Sequence, residues 1–158
     1  MQYRLDERTG NSISIIGFGC MRFPRGVGGI DTQKVERLIL RAIEAGVNYF
    51  DTAYLYSGSE AALGTVLSKN NMRDNVFIAT KLPIANCHAY ADFDKFFDIQ
   101  LAALKTDYID YYLMHNINSL KQWDESRTIP SPMPILNSSK AMREIYFASS
   151  GVDSENKY

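Results

Sequence analysis

Cysteine is scarce in this chain of 158 residues: Cys20 and Cys87 are the only two, and neither belongs to a CxxC pair. That excludes a disulfide framework and makes a reducing cytoplasm the expected compartment. Cys87 and His88 are adjacent, but no other Cys or His lies at zinc-ligand spacing, so no metal site is expected. Charge of one sign is also missing. The 17 Lys and Arg offset 18 Asp and Glu, a net charge of −1, so neither nucleic acid nor an anionic membrane is an expected partner. No apolar run approaches the ~18 residues of a spanning helix. The opening MQYRLDERTG is too polar for a signal peptide. Neither Gly17 and Gly19 nor Gly26, Gly28 and Gly29 form GxGxxG, which disfavours a Rossmann site. Internal repeats and low-complexity tracts are absent. What remains, 46% hydrophobic and 22% charged residues, is the composition of a globular chain able to bury a core.

The hydrophobic pattern alternates between two periods. Tyr3–Leu5 and Ile13–Ile16 flank a polar turn and predict a hairpin, and Ile15–Cys20 reads as a first buried strand. Val35, Leu38, Ile39, Ala42 and Ile43 form a helical stripe, opened by Asp31 or Thr32 as cap and stopped by Gly46. Val47–Phe50 predicts a second strand. Ser59 opens a helix with Ala62, Leu63, Val66 and Leu67 inward. Val76–Thr80 predicts a third strand, which Pro83 stops from extending. Asp92 opens a helix with Phe93, Phe96, Phe97, Gln100, Leu101 and Leu104 on one face, and Tyr108–Met114 is a fourth strand. Strands alternating with helices imply a parallel sheet and an α/β fold. Beyond residue 123 the pattern fades. Pro130, Pro132 and Pro134 predict a loop or disorder over 124–139, residues 141–147 read as a short helix or strand, and the end as frayed.

Polar residues recur one βα unit apart at the ends of the apolar runs. Cys20 is followed after 31 residues by Asp51, after a further 30 by Lys81 and after a further 34 by His115, and Tyr56 lies in the loop after Asp51. A strand–helix–strand unit takes roughly 30 residues. The carboxyl ends of successive strands are where α/β barrels keep their chemistry. Taken singly, each residue has a plainer reading: Asp51 as a turn cap, Lys81 as a solvated edge charge, Tyr56 as one of 10 tyrosines, His115 as a structural imidazole. Together they compose a proton-donating site. A tyrosine phenol ordinarily holds its proton to about pH 10. A lysine cation favours the phenolate, a carboxylate orients that lysine, and a histidine can place a carbonyl oxygen. A site that polarises and protonates a carbonyl implies a nucleophile at carbon, for which nicotinamide hydride is the obvious source.

At these residues the chain resembles the aldo-keto reductase family. GVNYFDTAYLY (46–56), IATK (78–81), TDYIDYYLMH (106–115) and the early GFGCMR (17–22) match its motifs in order and spacing. FGCMRFPR (18–25) and the block over 92–115 are most similar to a subgroup that often carries a carboxyl-terminal iron–sulfur extension. With two cysteines, this chain is expected to hold no such cluster. The resemblance implies a (β/α)8 TIM barrel with NADPH, or NADH, across its carboxyl face, and a small carbonyl substrate. Tyr56 would be the general acid, Lys81 and Asp51 would tune it, and His115 would orient the carbonyl. Tyr56 and His115 would thus meet substrate, and Gly19, Cys20, Met21 and Asp51 would meet the cofactor.

A full barrel takes ~250 residues, and 43 residues follow His115. The expectation is therefore a partial barrel. About four βα units and the amino-terminal hairpin would occupy 1–123, and a divergent, partly disordered tail 124–158. Such a half-barrel leaves its first and fourth strands as open edges and exposes an apolar inner face, which a partner, a second copy in a homo-oligomer or the tail would have to cover; oligomerisation or poor solubility of the isolated chain is the expectation. The alternative to a reductase, a catalytically inactive half-barrel fragment or an oligomerising interaction module, stays open.

Overall fold

A computed structural model describes residues 1–119, residue 121 and the strand 142–146. Strands β1 (Tyr3–Leu5) and β2 (Ser12–Ser14) form the expected antiparallel hairpin. The main sheet begins with β3 (Phe18–Gly19). A second small hairpin, β4 (Arg25–Gly26) and β5 (Gly29–Ile30), occupies the glycine-rich loop. Then follow α1 (Thr32–Glu44), β6 (Tyr49–Asp51), α2 (Ser59–Lys69), β7 (Phe77–Leu82), α3 (Tyr90–Leu104), β8 (Ile109–Met114) and β9 (Met142–Tyr146). The five main strands lie in the order β3-β6-β7-β8-β9, each pair parallel.

Local chemistry sets the helix boundaries. The Asp31 carboxylate accepts from the Lys34 amide and caps α1, and Gly46 takes a left-handed φ of 90° just past its end. The third helix starts at Tyr90, two residues before its expected opener. Asp92 is not its cap. Its carboxylate reaches back to the amides of His88 and Ala89, satisfying donors that the helix start would otherwise leave open.

The sheet departs from the sequence reading at its edges. Only Phe18–Gly19 pairs in the first strand, and Ile15 and Ile16, expected buried, are 51% and 57% exposed. A strand paired on one side alone keeps its ladder only where the neighbour is in register, here at Phe50 and Asp51. The fourth strand is not an open edge: β9 pairs along β8, so residues 142–146 follow the strand alternative. Strand β7 runs two residues past the expected end, to Leu82, and carries Lys81 within it. Leu38 is 46% exposed while Val35 and Ile39 are fully buried, so the stripe of α1 is narrower than its spacing suggests. The loop expected over 124–139 lies outside the described residues.

The core fills the layer between helices and sheet, from Val35 and Ile39 through Leu63, Val66 and Leu67 to Phe93, Phe96, Phe97 and Leu104. Gly64 sets the approach of α2 to α3: a Cβ there would lie 2.4 Å from the Leu104 backbone carbonyl carbon. Close packing of this kind holds the carboxyl ends of β6, β7 and β8 in fixed relation.

Candidate active site

Asp51, Lys81 and His115 come together at one end of the sheet. Parallel register places Asp51 beside Ala79, and Lys81 beside Leu113, two residues before His115. The His115 amide extends the ladder by donating to the Leu82 carbonyl. Within this frame the Lys81 ammonium donates to Asp51 Oδ1 at 2.7 Å and to the Thr52 carbonyl at 2.7 Å. Two overlapping turns bring Tyr56 over it, the Tyr56 amide donating to the Ala53 carbonyl and the Ser59 amide to the Tyr56 carbonyl. Lys81 Nζ lies 4.9 Å from the centre of the Tyr56 ring. The His115 imidazole stands edge-on to the same ring, centroids 5.6 Å apart at 89°. One carboxylate, one ammonium, one phenol and one imidazole thus share a small volume.

The earlier loop joins them through its backbone. Gly19 is in register with Asp51, the Cys20 amide donates to the Asp51 carbonyl at 2.8 Å, and the Cys20 carbonyl accepts from Ser59 Oγ at 2.9 Å. Ser59 Oγ also bonds Thr52 Oγ1, tying the start of α2 to the end of β6. Both polar backbone groups of Cys20 are therefore engaged within the chain. Burial pushes its thiol well above the ordinary range, with Asp51 adding to the effect, so no reactive thiolate arises there.

Residues 15–147 match the Aldo/keto reductase family. The chain belongs to that family. An aldo-keto reductase of Mycobacterium sp. (strain MCS) is 33% identical over 107 residues, 67% of this chain and 35% of its own length. The NADPH-dependent codeinone reductase 1-3 of Papaver somniferum is 36% identical over 112 residues, 63% of this chain and 32% of its own. Among solved structures, the holo form of an aldo-keto reductase from Bacillus halodurans superposes with a TM-score of 0.72 at 26% identity, covering 94% of this chain and 50% of that one. The fold is that family's TIM barrel, of which the described strands form an arc. The chain spans about a third of the length of these curated relatives.

Aldo-keto reductases imply a nicotinamide cofactor, and the ends of β3 and β6 fit one. A Cβ added at Gly19 would meet nothing within 4 Å, Met21 is exposed, and Asp51 is only partly buried. His115 Nδ1 is buried and has no hydrogen-bond partner among the described residues, a polar atom left over at the site.

Burial and the Lys81 ammonium hold the His115 imidazole below its ordinary value, with Asp51 pulling the other way. The unfolded chain therefore binds this proton more readily than the folded one. The His115 contribution to stability is complete above about pH 6.5 and is lost as acid takes the imidazole through its lower folded value. Urea midpoints are expected to drop between about pH 7.5 and about pH 5.5, less steeply in His115→Gln. Parallel drops in the two proteins would contradict this.

Residues that the sequence did not mark as functional support the site: Thr52, whose carbonyl accepts a hydrogen bond from the Lys81 ammonium, and a buried polar group of Glu60, Thr80 and Gln100 behind Lys81. Gln100 carried a signal, a polar residue amid the phenylalanine stripe of α3.

Proposed function

We propose that this aldo-keto reductase chain reduces a small carbonyl compound to the alcohol, with Tyr56 as general acid. The convergence of Lys81 on Asp51 at 2.7 Å and on the Tyr56 ring at 4.9 Å, with His115 edge-on, carries this reading. NADPH, or NADH, would supply the hydride when bound. Gly19, Met21 and Asp51 would line its nicotinamide end. NADPH is favoured because a relative of 36% identity is named for its dependence on it. The neutral imidazole of His115 donates its N–H to the substrate oxygen and holds that oxygen near the Tyr56 phenol. As charge grows on the oxygen, Tyr56 O–H gives it a proton. Lys81, held by Asp51 and the Thr52 carbonyl, keeps positive charge beside the phenol and stabilises the phenolate that remains. The free thiols of Cys20 and Cys87 accord with a reducing cytoplasm. NADPH fluorescence titration, followed by absorbance at the nicotinamide band with aldehydes and ketones, tests the proposal. Saturable binding with carbonyl-dependent oxidation supports it, and no binding at millimolar cofactor overturns it.

A second copy of the chain is the proposed protein partner. Among the described residues β3 pairs on one side only, and Ile15 and Ile16, just ahead of it in the chain, are exposed. Sedimentation velocity should show a dimer or larger species dissociating on dilution. A monomer throughout the concentration range would refute it.

A further inference from the structure

Side chains of β7 alternate, so Lys81 and Thr80 leave the strand on opposite faces. Lys81 enters the site, and Thr80 enters the layer between sheet and helices. That layer is otherwise built from Leu63, Val66, Leu67, Phe93, Phe97 and Leu104, yet behind Lys81 it holds four polar residues, all buried. Glu60 Oε1, from the first turn of α2, accepts from Thr80 Oγ1 at 2.5 Å and from Gln100 Nε2 at 2.6 Å. Gln100 Nε2, from α3, also lies 3.0 Å from Thr80 Oγ1 and 3.2 Å from the Lys81 carbonyl. Tyr112 of β8, in register with Thr80, donates to Gln100 Oε1 at 2.6 Å. Every connection is between different elements: α2, α3, β7 and β8 meet at one point, one residue before Lys81.

Such a cluster is costly to bury, and apolar residues of similar shape would serve packing as well or better. Its cost is concentrated where the strand delivers Lys81, and breaches of local rules gather at functional sites. Burial raises the Glu60 carboxyl above its ordinary value, while Thr80, Gln100 and the nearby Lys81 charge favour its ionised form. The mechanism above uses none of the four residues.

We propose that Glu60, Thr80, Gln100 and Tyr112 are positioning residues for Lys81. They fix the backbone from which its side chain departs, and so hold the ammonium on Asp51 and under Tyr56. The inference rests on Lys81 serving the reaction as proposed, but its test does not depend on turnover. The reaction of Lys81 with an acetylating reagent, read by mass spectrometry against the exposed Lys34 and Lys69 of the same sample, reports how firmly the ammonium is held. In Gln100→Leu and Thr80→Val, Lys81 labelling should rise roughly fivefold, the population change matching one lost hydrogen bond. Lys34 and Lys69 should be unchanged, and Thr80→Ser should restore the slow rate. Val66→Ala, a core truncation on α2 away from the cluster, should leave Lys81 labelling alone. Glu60→Gln is the milder variant should Gln100→Leu fail to fold, and should raise labelling in the same direction. Unchanged Lys81 labelling in the folded cluster variants, or an equal rise in Val66→Ala, would overturn the inference. A chain that oxidises no NADPH would refute the proposed reaction and leave the labelling result to stand or fall separately.

Discussion

Tyr56→Phe is expected to lower carbonyl reduction by roughly a hundredfold to ten-thousandfold, the usual worth of a positioned general acid. The change removes one oxygen. The ring that faces the His115 imidazole at 5.6 Å and the Lys81 ammonium at 4.9 Å is retained, as are the turns that hold the loop through backbone atoms. Folding and cofactor binding should therefore survive. The loss should fall on kcat, because the phenol proton moves only as charge develops on the carbonyl oxygen. NADPH titration beside steady-state kinetics separates the two effects. Activity within tenfold of the parent would remove Tyr56 from the acid role. Loss of activity together with loss of cofactor binding would instead make the phenol a binding group.

Lys81→Met tests the same chemistry from the other side. It deletes the ammonium that joins Asp51, the Thr52 carbonyl and the Tyr56 ring, and leaves Asp51 partly buried without its counter-charge. If Lys81 acts through Tyr56, the double variant should be little worse than either single one, since residues acting as a unit are not additive.

Asp51, Lys81 and His115 were legible because each interrupts or ends an apolar run, and a polar residue at a strand's carboxyl end has few structural reasons to be there. Tyr56 was legible only through the motif around it, since nothing distinguishes one loop tyrosine from nine others. The helices were readable from their stripes and from local signals such as Asp31 and Gly46. The first strand was not, because its extent depends on pairing: Ile15 and Ile16 are as apolar as any core residue, but only Phe18 and Gly19 find a partner in register. The strand at 142–146 could not be told from a helix, because five residues are too short for period to decide and its identity comes from β8 alongside. The Glu60 cluster is non-local in the same way. Its four members come from four elements, and the spacing within any one of them holds no trace of the others.

Arg73→Ala is expected to destabilise the fold by about 3–5 kcal/mol, the cost of leaving a buried charge without its partner. Arg73 opens the short 3-10 turn before β7 and is bound on every side. Nη2 donates to Asp110 Oδ2 at 2.7 Å and to the Tyr108 carbonyl, Nη1 to the Val76 carbonyl, and Nε to Thr106 Oγ1. Its guanidinium lies 3.8 Å over the Tyr108 ring. Asp110 Oδ2 also accepts the Ile78 amide, so one carboxylate oxygen joins β7, β8 and the turn between α2 and β7. With Arg73 and Asp110 only 14% and 2% exposed, water cannot take over these bonds. A loss of this size is a large share of the 5–15 kcal/mol typical of a domain. Asp110→Ala should cost a similar amount, and the double variant clearly less than the two together, because each single change strands the same partner. Urea unfolding of the four proteins measures the cycle. A cost below about 1 kcal/mol for Arg73→Ala would place the pair among surface ion pairs that contribute little. Full additivity would mean that the two residues act separately. The predicted coupling instead makes them one fastening at the amino end of the sheet, opposite the site, holding β7 and β8 in the register that brings Lys81 and His115 to the same end.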